Sequence, residues 1–322
     1  MKAAVTGASG FIGTRLLKEL RRRNWHVRAL SHRTPITAGA SVETVEGDIA
    51  DPGAVRALTE GMDILFHLAA ALGASLISDS DFSRINTEGT RKVLEAAKAN
   101  GVGRVIHFSS AGVIGTVRKE EVAGEDYPLT PKNIYDITKL KAENEALGYA
   151  EQGLDLVVIR PGWVYGPGDR RTFKLIRAIA KGRFVMITRG DARQTPVHID
   201  DLISGVFLCA ERGKSGEIYH LAGKEVLRVS EMAAVIASAT ERRLPPIHLP
   251  LWPAKTAARV MERGFALFGK EAPLTSGRLA FFIHPKPLSI AKAKKHLGFT
   301  PRIDFRSGMA QTVSWYRKND WL

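Results

Sequence analysis

Thr6-Gly7-Ala8-Ser9-Gly10-Phe11-Ile12-Gly13 decides the architecture. It follows a short apolar run at residues 3–6 and opens an amphipathic stretch at 11–23, so the order is strand, glycine turn, helix. Glycines at 7, 10 and 13 allow a tight turn and let the backbone approach a ligand closely. The start of the helix then favours negative charge at that point. Three glycines alone are a weak signal. Between a strand and a helix they predict a dinucleotide site, with Gly7, Ser9, Gly10, Phe11, Ile12 and Gly13 around the pyrophosphate.

Outward from that loop, apolar runs at 27–30, 42–45, 64–67, 105–109 and 154–160 alternate with helical patterns at 53–61, 81–100 and 134–152. Such alternation predicts a parallel sheet covered by helices on both faces, which is why the strands are apolar without interruption. The fold class is α/β, a Rossmann-type doubly wound parallel sheet. Past Pro161 the pattern loosens. Helices are expected over 172–181 and from 199 to about 212, with a strand over 217–221. Ser230 is expected to cap a further helix, with Glu231 in its first turn. The division expected is a nucleotide-binding domain over 1–170, rejoined by 194–223, and a smaller, discontinuous C-terminal substrate-binding domain made mainly of 171–193 and 224–322.

Composition narrows the class. The 322 residues, 44% hydrophobic and 25% charged, exclude a disordered chain. A lone cysteine, Cys209, excludes an intramolecular disulfide and a cysteine-based zinc site. No basic-then-apolar leader follows Met1, and the longest apolar run falls far short of the ~20 residues that cross a bilayer, so a cytoplasmic location is expected. The charge is unusual: 47 basic residues against 33 acidic give +14, and residues 251–322 hold thirteen basic and four acidic ones. Such a balance attracts phosphorylated ligands, anionic membranes or nucleic acid, but the chain shows no nucleic-acid-binding module. His67 and His107 fall in apolar strands and are expected in the core. His198 has no metal-ligand partner at useful spacing, and no metal is expected.

Four further stretches carry chemistry. The second strand ends Leu30-Ser31-His32-Arg33, with no carboxylate to bind an adenine-ribose 2′-hydroxyl. Arg33 can neutralise a 2′-phosphate instead, so Ser31 and Arg33 point to NADP, with NAD still possible. Asp48 and Ile49, after the third strand, are placed for the adenine, although Asp48 could equally be a turn or capping residue. Tyr135 and Lys139 are spaced i, i+4, which puts phenol and ammonium on one helical face. A free phenol ionises near ~10, and a neighbouring cation would lower that value. Ser109 and Ser110 end the preceding strand, where one hydroxyl can hold a substrate oxygen and the other form a turn.

Taken with His67-Leu68-Ala69-Ala70, Asn86-x-x-Gly89-Thr90, Arg160-Pro161-Gly162-x-Val164-Tyr165-Gly166 and Pro196-Val197-His198-Ile199-Asp200-Asp201, these segments resemble the extended short-chain dehydrogenase/reductases of the NAD-dependent epimerase/dehydratase superfamily. The resemblance implies Ser110, Tyr135 and Lys139 as the catalytic set. It implies cofactor contacts from Leu68, Ala69, Ala70, Pro161 and Val164, besides Tyr135 and Lys139. Asn86 would shape the central helix, and a homodimer would pair two helices from each copy.

Departures from family patterns select the branch. Ala111-Gly112 stands where the sugar 4,6-dehydratases carry Asp-Glu, so dehydration is not expected. Gln194 occupies the slot of a diphosphate-clamping arginine, with Arg193 beside it. The tail resembles the 3β-hydroxysteroid dehydrogenase and dihydroflavonol reductase-like branch. The expectation is an NAD(P)-dependent oxidoreductase interconverting a secondary alcohol and a ketone, with a small-molecule substrate. A nucleotide-sugar 4-epimerase holding NAD tightly is the alternative, and a non-enzymatic sensor on the same scaffold a third reading. Residues 255–268 read as a lid helix that packs Ala257, Met261, Gly264 and Phe268 over the substrate cleft. The same basic, amphipathic pattern also suits a helix lying on a membrane.

Overall fold

Strand β1 (Lys2–Thr6) is an interior strand of a seven-stranded sheet in the computed structural model. The other strands are β2 (His26–Ser31), β3 (Val42–Glu46), β4 (Ile64–His67), β5 (Arg104–Phe108), β6 (Leu156–Pro161) and a last one over Ile218–Leu221. Their order is Ile218–Leu221, β6, β5, β4, β1, β2, β3, with every pairing parallel. The structure describes residues 1–36, 42–72, 77–270 and 272–322.

Period-two alternation sends each strand's side chains to two different cores. Ala3, Val5, Ile64, Phe66, Ile106, Phe108, Val157 and Ile159 join helices α1 (Phe11–Arg22) and α7 (Ile199–Arg212) on one face. Ala4, Leu65, Val105, Leu156 and Val158 meet α2 (Pro52–Thr59), α4 (Gly89–Ala99) and α5 (Ile134–Glu151) on the other. β3 is the exposed edge, and Glu43 reaches back to Arg28 of β2 at 2.8 Å.

The helix expected over 81–100 is built in three pieces. A short α3 (Asp79–Ser83), capped by Ser78, passes through a π-turn at Arg84–Glu88 into α4. That wider turn carries Asn86 inward, where its side chain is buried.

A second apolar core gathers α6 (Arg170–Ala180), α8 (Val229–Ala239), α9 (Leu251–Ala266), α10 (Ser276–Ile283) and α12 (Phe305–Lys318). Ser230 is not the cap of α8. The helix starts off a two-stranded pairing of Leu227–Arg228 with Arg193–Gln194, so the backbone carbonyls of Ala192 and Gly190 accept the N–H groups of Val229 and Ser230. Glu231 accepts the Arg228 N–H at 2.7 Å, as its place in the first turn suggests. The tail also departs from a simple division, because α11 (Ala291–Leu297) and Phe299 return to pack on the sheet beside Tyr219 and Leu221.

Helix α9 does not pack with the expected stripe. Its buried contacts are Ala254 and Ala258, while Met261 and Phe268 are exposed. Among the described residues no helix is long and apolar enough to cross a membrane.

Candidate active site

Because all seven strands are parallel, the segments that follow them emerge along one edge of the sheet. There the glycine loop follows β1, Arg33 follows β2, Asp48 follows β3, Leu68–Ala70 follow β4, Ser110 follows β5, and Val164 follows β6. Residues far apart in sequence thus line one crevice.

The glycine loop is built for close approach. A Cβ on Gly7, whose φ is +69°, would lie 2.7 Å from the Ala69 nitrogen, and one on Gly13 would overlap the Gly7 carbonyl oxygen. Helix α1 begins at Gly10 with no side-chain cap and no acid in its first turn, so its N–H groups are left for an anion. A dinucleotide pyrophosphate fits this cradle. Ser9 is exposed and Phe11 and Ile12 half-buried beside it.

At the ends of β2 and β3 the polar residues divide their labour. Asp51 caps α2 by accepting from Gly53, which leaves Asp48 outside the helix. Asp48 accepts from the Ala50 N–H at 2.8 Å and from Arg84 at 2.9 Å, with His32 at 3.6 Å. Burial raises its pKa, but these bonds outweigh burial and hold it below the usual value. Ile49 is buried against Gly89. Arg33 is exposed and makes no ion pair with a described residue, whereas Ser31 is buried and donates to the Thr34 carbonyl. Arg84 was not evident from the sequence. Only the π-turn brings it over Asp48.

Behind Leu68–Ala70 runs a buried relay. Thr6 Oγ1 accepts the N–H groups of Leu68 and Ala69 and donates to His67 Nδ1 at 2.7 Å. His67 Nε2 donates to Thr90, which donates to the Asn86 carbonyl at 2.6 Å. This chain assigns the Nε2–H tautomer. Burial, followed by the Lys139 charge, pushes His67 down to about 3 and keeps it neutral. Asn86 accepts from the Ala71 N–H at 2.7 Å and donates to Thr138 at 3.0 Å, fastening the segment after β4 to α5.

At the next strand end, Ser110 Oγ accepts the Gly112 N–H at 3.0 Å, and its hydroxyl faces Tyr135 closely enough to stabilise the phenolate form. Ser110 therefore forms the turn and meets the phenol, while the buried Ser109 hydroxyl has no hydrogen-bond partner among the described residues. Asn133 caps α5 through the Asp136 N–H, so Tyr135 stands in its first turn.

Lys139 departs from the expected pairing. Its ammonium donates to the Phe108 carbonyl, and burial, opposed by Glu143, lowers its pKa to about 8. Tyr135 is raised above the ordinary phenol value by burial. Arg171 and then Ser110 pull it back, and Lys139 is not among the groups acting on it. The reason is geometric: a buried ammonium needs an acceptor, and the end of β5 offers one directly below the helix. Arg171, exposed in the first turn of α6, is the cation felt by the phenol. It was missed in the sequence because it lies past Gly166-Pro167-Gly168-Asp169, where the helical pattern resumes without a chemical signature.

Polar contacts, one of them a buried ion pair, tie the elements around the crevice together. Arg160 and Glu143 form a bidentate ion pair at 2.6 and 2.9 Å, tying β6 to α5. Asp200 binds Arg15 at 2.7 Å, and Asp201 accepts the N–H groups of Arg302 and Ile303. Gln194 donates to the Phe281 and His284 carbonyls, and Arg193 to the Glu121 carbonyl at 2.8 Å. Cys209 is fully buried, with its thiol pushed up by burial. Among the described residues no group of His, Cys, Asp or Glu is placed to hold a metal ion.

A glycine cradle on the carboxyl edge of a doubly wound sheet, with a Ser–Tyr hydroxyl pair beside it, defines a dinucleotide-dependent enzyme class. The family model of the NAD dependent epimerase/dehydratase family matches residues 3–222, and the chain belongs to that family as an extended short-chain oxidoreductase. It is 28% identical over 317 residues to a 4-hydroxy-2-methyl-3-oxo-4-farnesyl-3,4-dihydroquinoline-1-oxide ketoreductase of Stigmatella aurantiaca, covering 96% of this chain and 95% of the relative. A 3 beta-hydroxysteroid dehydrogenase/Delta 5→4-isomerase of Mycobacterium tuberculosis is 29% identical over 338 residues, covering 98% and 90%. The solved structure of MoeE5 in complex with UDP-glucuronic acid and NAD superposes with a TM-score of 0.81 at 27% identity, covering 99% of this chain and 100% of that one.

Proposed function

We propose that this enzyme reduces an apolar, ring-bearing ketone to a secondary alcohol, with NADP(H) preferred over NAD(H). The observation that carries the reading is the pairing of Ser110 with the Tyr135 phenol on the sheet edge that also carries the glycine cradle. Gly7 to Gly13, Asp48, Ile49 and Leu68 to Ala70 would hold the dinucleotide, with Arg33 against a 2′-phosphate. When bound, the nicotinamide supplies or accepts the hydride.

Tyr135 gives a proton to the carbonyl oxygen in reduction and takes it back in oxidation. Burial keeps its phenol protonated at neutral pH, the form that reduction uses. The Gly112 N–H holds Ser110 Oγ in place, and the hydroxyl proton that faces Tyr135 can turn to a substrate oxygen seated between them. Lys139, with one proton on Phe108, has others for the ribose. The names of the farnesyl-quinoline ketoreductase and the steroid dehydrogenase support an apolar substrate.

The epimerase alternative lacks a free guanidinium at the diphosphate slot, because Gln194 and Arg193 are committed to backbone carbonyls. A cytoplasmic homodimer paired through α4 and α5 completes the reading, and sedimentation equilibrium tests the pairing. Mass spectrometry of the co-purifying cofactor, followed by a panel of ketones with NADPH, tests the activity. Net NADPH consumption supports reduction. Tightly held NAD with no net turnover on any ketone would favour epimerisation.

A further inference from the structure

Helix α9 presents an uncommon outward face. Its fully buried residues are two small ones, Ala254 and Ala258, with Leu251 partly buried on the same core. Large apolar side chains point away: Trp252 is 77% exposed and Val260 65%, and at the cap and just past it Leu267 is 85% and Phe268 78% exposed. At 100° per residue, Trp252, Val260 and Leu267 fall within one arc of about 80°, opposite Ala254 and Ala258. Arg259 and Arg263 project within or beside the same arc, and Lys255 flanks it. Lys255, Arg259 and Arg263 make no ion pair with a described residue. The helix has one acid, Glu262, whose carboxylate accepts from the Ser276 N–H and hydroxyl at 2.8 and 2.9 Å, so it is occupied. The exposed face is therefore apolar and cationic, with no free anion.

We infer that α9 is an interfacial helix that docks this enzyme on an anionic membrane surface. Aromatic and aliphatic residues enter the headgroup boundary while arginines meet lipid phosphates, a combination that neither a soluble surface nor a lid requires. Each cation near an anionic leaflet strengthens binding about five-fold. Residues 251–322, with thirteen basic and four acidic side chains, add a long-range pull in the same direction. A second copy of the chain suits the face poorly, because a two-fold contact would set the arginines against each other. Nucleic acid would match the charge but leave Val260 and Leu267 without a counterpart. The helix is followed by α10, whose Phe281 packs on Trp163 at 5.2 Å just beyond β6. On the proposed reading of the site, docking would bring the substrate side of the enzyme to a lipid-dissolved ketone. The docking itself does not depend on that reading.

Vesicle co-sedimentation of the full chain tests it, with phosphatidylcholine alone and with roughly three parts in ten phosphatidylglycerol. Binding is expected to the anionic vesicles, falling at least ~10-fold without phosphatidylglycerol or in about 0.5 M salt. The Trp252→Ser/Leu267→Ser variant and, separately, the Lys255→Gln/Arg259→Gln/Arg263→Gln variant should each lose ~10-fold or more. Their melting temperatures and NADPH affinity should stay at wild-type values. Absence of vesicle binding, or binding unchanged in both variants, overturns the proposal. So does a shift from dimer to monomer in the Ser variant without any change on vesicles, or duplex DNA binding that only the Gln variant loses. None of these readouts uses ketone turnover, so failure here is separate from failure of the proposed activity.

Discussion

At the residue scale, charge decides what each functional group can do. The phenol of Tyr135 is held up by burial and drawn down by Arg171, an exposed side chain from another element. Removing that cation raises the phenol pKa further, because the charged form loses its attraction. In Arg171→Gln, alcohol oxidation, which needs the phenolate, should begin its rise at higher pH, and Arg171→Lys should restore the wild-type profile. A kcat/KM profile that does not move in the Gln variant would dismiss Arg171. Arg33 offers a second test. Arg33→Ser should weaken NADP binding by roughly 10- to 100-fold and leave NAD binding nearly unchanged, as loss of a charge-assisted phosphate contact does. Equal losses for both dinucleotides would argue against a 2′-phosphate contact. Motif positions such as Gly7, Tyr135 and Ser110 were legible in the sequence because strand–turn–helix order fixes where they must lie. Arg171, Arg84 and the Lys139–Phe108 bond were not. They depend on how separate elements converge, and no local pattern encodes that.

At the element scale, α5 is unusual in burying polar groups. Asp136, Thr138, Lys139 and Glu143 all face inward, so an apolar stripe is missing where sequence reading looks for one. Glu143 and Arg160 carry the tie to β6, with Arg160 also donating to the Glu125 carbonyl at 3.0 Å. Glu143→Gln leaves a buried guanidinium half-paired and should destabilise the fold by about 3–5 kcal/mol in urea unfolding. The double change Arg160→Met with Glu143→Leu should cost less than the single one, because no charge is stranded. Equal destabilisation would mean that packing, not pairing, dominates there. The cap of α8 shows a related limit. Ser230 has the right chemistry but stands two residues past the cap position Arg228, and strand pairing already satisfies the N–H groups of Val229 and Ser230.

At the scale of the whole molecule, buried neutral histidines link stability to pH. His67 and His220 are both pushed down to about 3, mainly by burial. In the unfolded chain each would take up a proton near the ordinary 6.5. Between those values the unfolded state binds more protons, so stability is full above pH ~6.5 and is lost as pH falls toward 3. At pH 5 the loss should approach about 2 kcal/mol for each. Melting temperatures measured from pH 7 to 5 should fall accordingly, and a flat profile would contradict the burial of these rings as neutral species. The two-core plan follows from the same sequence logic as the sheet, yet the return of α11 to the first core was not legible, because amphipathicity says that a helix packs and not against what. The central claim is that the Tyr135 hydroxyl moves the proton at a carbonyl oxygen held beside Ser110. Its most direct test is pre-steady-state NADPH oxidation with an accepted ketone by wild type and Tyr135→Phe. The rate should fall by ~10²–10⁴-fold while NADPH affinity is unchanged, and a variant that turns over at the wild-type rate would contradict the account.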